Sequence, residues 1–235
     1  TPAHGPKTWK KDEWKWSTNV VDRMVQILKS YKYSDGTSYQ VQRCNKGGLH
    51  TGEGYSMVET RTLINKLGSQ NVVSLVPHWN GAGGNSHGVY INKASKGVRP
   101  DSQKLAECVQ GVIQEFVKNK PADLFKNHSR VAGMMDGGVR IINLGESNTD
   151  GAPDLKCACV LTENWFADYP STKEWNNSNN WPNLGWGWLT SEIGIETVAR
   201  LNAEGIKRYV DGLKNAPLVY ASPAITPSNT DWEAK

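Results

Sequence analysis

Apolar positions along this chain switch between two periods, and the switches mark out alternating helices and strands. From Asn19 to Tyr31 the residues Val20, Val21, Met24, Val25, Leu28 and Tyr31 recur at spacings of three and four, after a break at Ser17 and Thr18. That period predicts an amphipathic helix. Tyr39 to Cys44 alternates as a half-buried strand does and runs into a turn at Gly47 and Gly48. A second helix is predicted from Tyr55 to Leu67, carrying Val58, Leu63, Ile64 and Leu67 and stopping at Gly68.

Val72 to Val76 is a β-branched run too short for a helix, so it reads as a buried strand that delivers His78 at its carboxyl end. Gly88 to Asn92 reads as another strand. Asp101 is placed as the N-cap of a helix whose stripe is Leu105, Cys108, Val109, Val112, Ile113, Phe116 and Val117. Val139 to Leu144 and Cys157 to Thr162 are two further strands, and Leu189 to Leu213 is the last helix. Strands alternating with helices predict an α/β fold, a three-layer αβα sandwich around a mixed, largely parallel sheet. One domain is expected over residues 1–214, followed by a Pro-, Ser- and Thr-rich tail over 215–235 that reads as extended linker.

Composition narrows the functional classes. The chain has 235 residues, 37% hydrophobic and 21% charged, which suits one domain with a buried core. No apolar stretch approaches the roughly 20 residues that span a bilayer, and no basic-then-apolar signal opens the chain. Membrane insertion is therefore not expected. The net charge of +4 is modest and the Lys and Arg residues are scattered, which argues against a nucleic-acid surface. Cys44, Cys108, Cys157 and Cys159 are too few for a disulfide scaffold and lack CxxC spacing, so they read as small buried side chains; a bridge from Cys44 stays open. Ten tryptophans are unusual, and Trp175, Trp181, Trp186 and Trp188 share one stretch with Asn176, Asn177, Asn179 and Asn180. Indole faces beside amides suit sugar rings, and they equally suit the edge of a core.

Candidate chemistry sits where the predicted elements end. His4 lies in a Pro-Ala-His-Gly turn, Glu13 opens the first helix, His78 follows one buried strand, and Glu163 follows another. Two imidazoles and one carboxylate hold Zn²⁺ while leaving a position for water, and a second carboxylate can move protons. Each residue also has a plain explanation. Glu13 favours a helix start through the dipole, and a lone histidine is more often structural. A strand interior, however, rarely delivers an unpaired acid such as Glu163 by accident. Ligands in such a fold bind beyond the carboxyl ends of the strands. His87 and His128 read as solvated or structural side chains.

Four segments together carry a resemblance: Pro2-Ala3-His4-Gly5, Glu13-Trp14-Lys15-Trp16-Ser17-Thr18-Asn19, Val73 to Asn80, and Val160-Leu161-Thr162-Glu163-Asn164-Trp165-Phe166. In that order they resemble the zinc-dependent N-acetylmuramoyl-L-alanine amidases, the type 3 and phage-endolysin-like peptidoglycan hydrolases. Glu59 to Asn65, Ser191 to Gly194 and Glu204 to Tyr209 extend the likeness to roughly Thr1 to Leu213. The resemblance implies one zinc ion on His4, Glu13 and His78, Glu163 as the catalytic carboxylate, peptidoglycan as substrate, and a site of action outside the cell or at the wall. Three departures stand out. The strand that the family places before its first histidine is expected either upstream of Thr1 or replaced by a processed amino terminus. Trp79 stands where the family has a small residue, which is expected to alter substrate access, and the stretch from Tyr169 to Trp188 is long. A zinc carboxypeptidase is the competing enzyme, although its His-x-x-Glu spacing does not match His4 and Glu13. A wall-binding or virion structural protein that kept the fold is the non-enzymatic alternative.

Overall fold

The computed structural model describes residues 9–33, 35–41, 43, 62, 64–67, 72–81, 83–92, 99–142 and 155–212. The elements of the fold are α1 (Trp9–Ser30), β1 (Val73–Asn80), β2 (Ser86–Asn92), α2 (Pro100–Asn119), β3 (Met135–Ile142), β4 (Ala158–Phe166), α3 (Gly185–Thr190) and α4 (Glu192–Asp211). The strands form one sheet in the order β1-β4-β2-β3. The β1–β4 and β2–β3 ladders are parallel and the β2–β4 ladder is antiparallel. This is a mixed, mainly parallel α/β domain whose layering fits an αβα sandwich.

Helices α1, α4 and α2 pack side by side against the sheet. Trp16, Val20, Met24, Ile27 and Leu28 bury one stripe of α1, at the spacing its sequence pattern requires. Trp16 is fully buried, stacks on Trp79 of β1 at 5.3 Å, and donates its indole N–H to the Leu189 carbonyl at 2.8 Å. Helix α4 lies between the other two and buries Val198, Ala199, Leu201, Ala203 and Ile206. Its Gly205 lets α2 approach closely, because a Cβ there would lie 2.6 Å from Val109 Cγ2 and 2.7 Å from Val109 Cα. Arg208, 1% exposed, closes the same interface with a bidentate pair to Glu115 at 2.8 and 2.7 Å. Gly212 ends α4 at φ 72°, the left-handed cap that glycine adopts without a Cβ clash.

Several predicted boundaries move. Helix α1 runs through Ser17 and Thr18 without a break, because Ser17 spends its hydroxyl on the Pro77 carbonyl at 2.7 Å rather than on its own backbone. Its start at Trp9 puts Glu13 one turn inside the helix instead of at its opening. Helix α2 begins at Pro100 after an extended Arg99, so Asp101 is not the N-cap. Asp101 lies in the first turn, where its Oδ1 accepts from the Ser102 amide at 2.9 Å and both carboxylate oxygens pair with Arg99. Residues 39–41 are not a strand, and the extended pairing nearby is a single antiparallel bridge between Lys32 and Ser38. Strands β1 and β4 run on past the predicted ends, so His78 and Glu163 lie within them. Most of the predicted 55–67 helix falls outside the described residues, as do Cys44, the linker expected after 214, and His4.

Candidate active site

The parallel register of β1 and β4 pairs His78 directly with Glu163 near their shared carboxyl ends. Opposed residues on adjacent strands present their side chains to the same face, so imidazole and carboxyl stand side by side. The pleat sends their neighbours the other way: Pro77 and Trp79 go into the core while the His78 side chain keeps 42% exposure. From the other flank of β4, Gly88 of β2 pairs with Glu163 and adds no side chain. Helix α1 crosses over β1 and brings Glu13, 18% exposed, to His78, with Oε1 3.0 Å from Nδ1. Three of the four predicted site residues thus converge on one sheet edge. The fourth, His4, lies outside the described residues, and among those described no third His, Cys, Asp or Glu completes a metal-ligating cluster.

Glu163 carries a strongly perturbed carboxyl. Burial pushes its pKa from 4.5 up to about 7, the His78 imidazole pulls it partly back, and the Glu13 carboxylate adds to the rise. Its Oε2 is buried and has no hydrogen-bond partner among the described residues.

Sequence reading passed over Asn164, the residue that builds the turn of chain beside Glu163. Between His78–Glu163 and Asn80–Phe166 the register slips, so β4 carries one residue more than β1. This bulge buries two consecutive residues, Asn164 and Trp165, and sets Trp165 at φ 62°. The Asn164 amide donates to the His78 carbonyl at 2.9 Å and to the carbonyl and hydroxyl of Thr162 at 3.1 and 3.0 Å. Its Oδ1 accepts from Asn202 of α4 at 3.0 Å. Trp165 donates its indole N–H to the Met135 carbonyl at 3.0 Å, which pins the bulge to β3. An asparagine inside a strand motif, immediately after the acid, was the available signal.

The other candidates resolve into structure. His87 is fully buried on the core face, edge-on to Trp165 at 5.2 Å, and burial drives its pKa down to about 3 against a smaller opposing pull from Asn164. It is a core histidine. His128 precedes a short 3-10 turn, with its pKa lowered by burial against a smaller opposing pull from the Pro182 backbone. Trp79 is 2% exposed against Trp16, so it does not shape substrate access as expected from its place after His78. In the tryptophan-rich stretch, Trp175 and Trp181 stack on each other at 4.9 Å, and Trp188 donates to the Leu124 carbonyl at 3.0 Å from full burial. Of the two readings left open for these indoles, covering the core holds for Trp175, Trp181 and Trp188.

Solved structures share this architecture. An N-acetylmuramoyl-L-alanine amidase from Clostridium difficile 630 superposes with a TM-score of 0.52 at 20% identity, over 90% of this chain and 95% of that one. The fold is that of these amidases. An amidase from Mycobacterium smegmatis gives a TM-score of 0.51 at 15% identity, with 85% of this chain and 77% of that one covered. One from Mycobacterium abscessus gives 0.50 at 18%, with 84% and 78% covered. No protein-family model and no curated protein matches the sequence. The amidase fold is therefore reached through architecture, and the paired His78 and Glu163 lie at the carboxyl ends of two of its parallel strands.

Proposed function

We propose that this chain is a zinc-dependent N-acetylmuramoyl-L-alanine amidase, cleaving the amide between the lactyl group of N-acetylmuramic acid and the L-alanine of the peptidoglycan stem peptide. One juxtaposition supports the reading most: within an amidase fold, His78 and Glu163 are register partners and Glu13 lies 3.0 Å from the imidazole. The donor set suits zinc. Glu13 Oε1 and His78 Nδ1, 3.0 Å apart, are a carboxylate and an imidazole placed so that both would reach one ion. The proposed holders are His4, Glu13 and His78, and when bound the ion supplies Lewis acidity and a water acidic enough to ionise near neutral pH.

Glu163 has the proton-moving role. Its buried Oε2 has no hydrogen-bond partner among the described residues, and a pKa of about 7 lets it hold or release a proton at working pH. It takes the proton of the attacking water and returns it to the departing alanine nitrogen, so the carboxyl ends each cycle as it began. The strand register fixes its distance from His78, and the core beneath keeps bulk water from solvating it. A wall-facing setting, with delivery by secretion or by a phage, accompanies this reading.

Mass analysis of digested peptidoglycan tests it. Free stem peptides bearing an unblocked L-alanine amine are the expected product, whereas shortened peptides would select a carboxypeptidase and intact wall a binding protein. Glu163→Gln is expected to retain zinc and lose about 10²–10⁴-fold in turnover, and His78→Ala to lose zinc and turnover together. A fully active Glu163→Gln protein overturns the assignment.

A further inference from the structure

We infer that Asn164 is a positioning residue for the hydrolytic site, holding His78 and Glu163 at a fixed separation. The inference rests on the amidase reading above. At the bulge, where the β1–β4 register slips just past His78, the carbonyl of His78 accepts a hydrogen bond from a side chain, Asn164 Nδ2, at 2.9 Å. The same amide grips the residue before Glu163 through both the carbonyl and the hydroxyl of Thr162. One planar group therefore spans the two strands that carry the imidazole and the acid. Its other end is not free to turn, since Oδ1 accepts from Asn202 Nδ2, which also donates to Val198 within α4 at 2.9 Å.

All of this is dry. Asn164 and Asn202 are both 0% exposed, so the amide bonds form without competition from water and fix orientation strongly. The arrangement also carries a cost that packing alone would not demand. Trp165 is the only non-glycine residue at positive φ among those described, a strain of about 1–3 kcal/mol for a bulky side chain. That strain sits two residues past Glu163, where the bulge buries Trp165 directly after Asn164, which the ordinary pleat already turns inward. Groups that orient a site's ligands in this way typically contribute roughly 10–100-fold to metal affinity or activity. Asn202 supports the clasp from behind, its side-chain amide hydrogen-bonding only Asn164 and the Val198 carbonyl among the described residues.

The test compares the two asparagines. Asn164→Ala and Asn164→Ser are measured beside Asn202→Ala, on intact peptidoglycan, with zinc affinity read by chelator competition. Positioning predicts that the Asn164 variants lose roughly 10–100-fold in kcat and in zinc affinity while KM stays within about 2-fold. Asn202→Ala is expected to lower the melting temperature with kcat kept within about 3-fold, because the clasp on His78 and Thr162 survives. If instead the folded Asn164 variants match Asn202→Ala in kcat and zinc affinity, the inference is overturned. Should every Asn164 variant fail to fold, the side-chain NH₂ resonances of Asn164 in the unmutated protein decide: a shift on adding ZnCl₂ supports it, and none overturns it. Failure of the amidase reading shows separately, as unmutated protein that leaves peptidoglycan intact or as an active Glu163→Gln variant.

Discussion

Glu163 shows how one buried acid makes stability and chemistry pull against each other. Its pKa rises from 4.5 to about 7 on folding, so the folded state holds this proton more tightly than the unfolded chain does. Between those values stability therefore falls as pH rises, the reverse of the usual salt-bridged carboxylate. In protein stripped of divalent metal, Glu163→Gln is expected to be more stable than the unmutated chain at pH 8 by about 2 kcal/mol, and nearly equal at pH 4. Urea unfolding midpoints at the two pH values check this; an equal gain at both would rule out ionisation as its source. Glu13, His78 and Glu163 were picked out by residue type and place in a motif, and the fold brings them together. The part played by Asn164 was not read, because its partners His78 and Asn202 lie far from it in sequence. Trp79 could have been read correctly, since a residue next to an outward-facing His78 in a strand must point inward.

Among the elements, the helices were legible where one face is apolar and misread where a polar side chain finds a distant partner. Ser17 and Thr18 looked like a break in α1 because local sequence cannot reveal the Pro77 carbonyl that occupies the Ser17 hydroxyl. The same helix is held to the sheet by Trp16, and truncating it removes an indole stack and a buried hydrogen bond together. Trp16→Ala is expected to cost about 3–5 kcal/mol in chemical denaturation. Two glycines of the α2–α4 pair give a sharper contrast. Gly205→Ala forces a methyl against the Val109 backbone and is expected to cost about 1–3 kcal/mol. Gly111→Ala in α2 meets nothing within 4 Å and is expected to gain up to about 1 kcal/mol from helix propensity alone. Thermal melts of the two variants moving in the same direction would contradict the close approach.

At the scale of the whole molecule, the αβα expectation survived errors of three or more residues at several element boundaries, among them the start of α1 and the carboxyl ends of β1 and β4. Alternation of periods decides the class, and it is redundant across the chain, whereas each boundary depends on one contact. The register between β1 and β4 was beyond reach, because it is fixed by packing of strands whose paired residues, such as His78 and Glu163, are far apart in sequence. Yet that register, more than any single motif, is what sets His78 against Glu163. Zinc bound in the proposed manner favours only the folded chain, so saturating ZnCl₂ is expected to raise the melting temperature of the unmutated protein and leave His78→Ala unmoved.

The contact between Glu13 and His78 joins segments 65 residues apart, and the grip of Asn164 on His78 joins segments 86 apart. The second cannot form in a growing peptide until β4, which carries Asn164, has emerged from the ribosome. A partly synthesised or clipped chain that ends before β4 consequently lacks both Glu163, the register partner of His78, and the Asn164 grip at once.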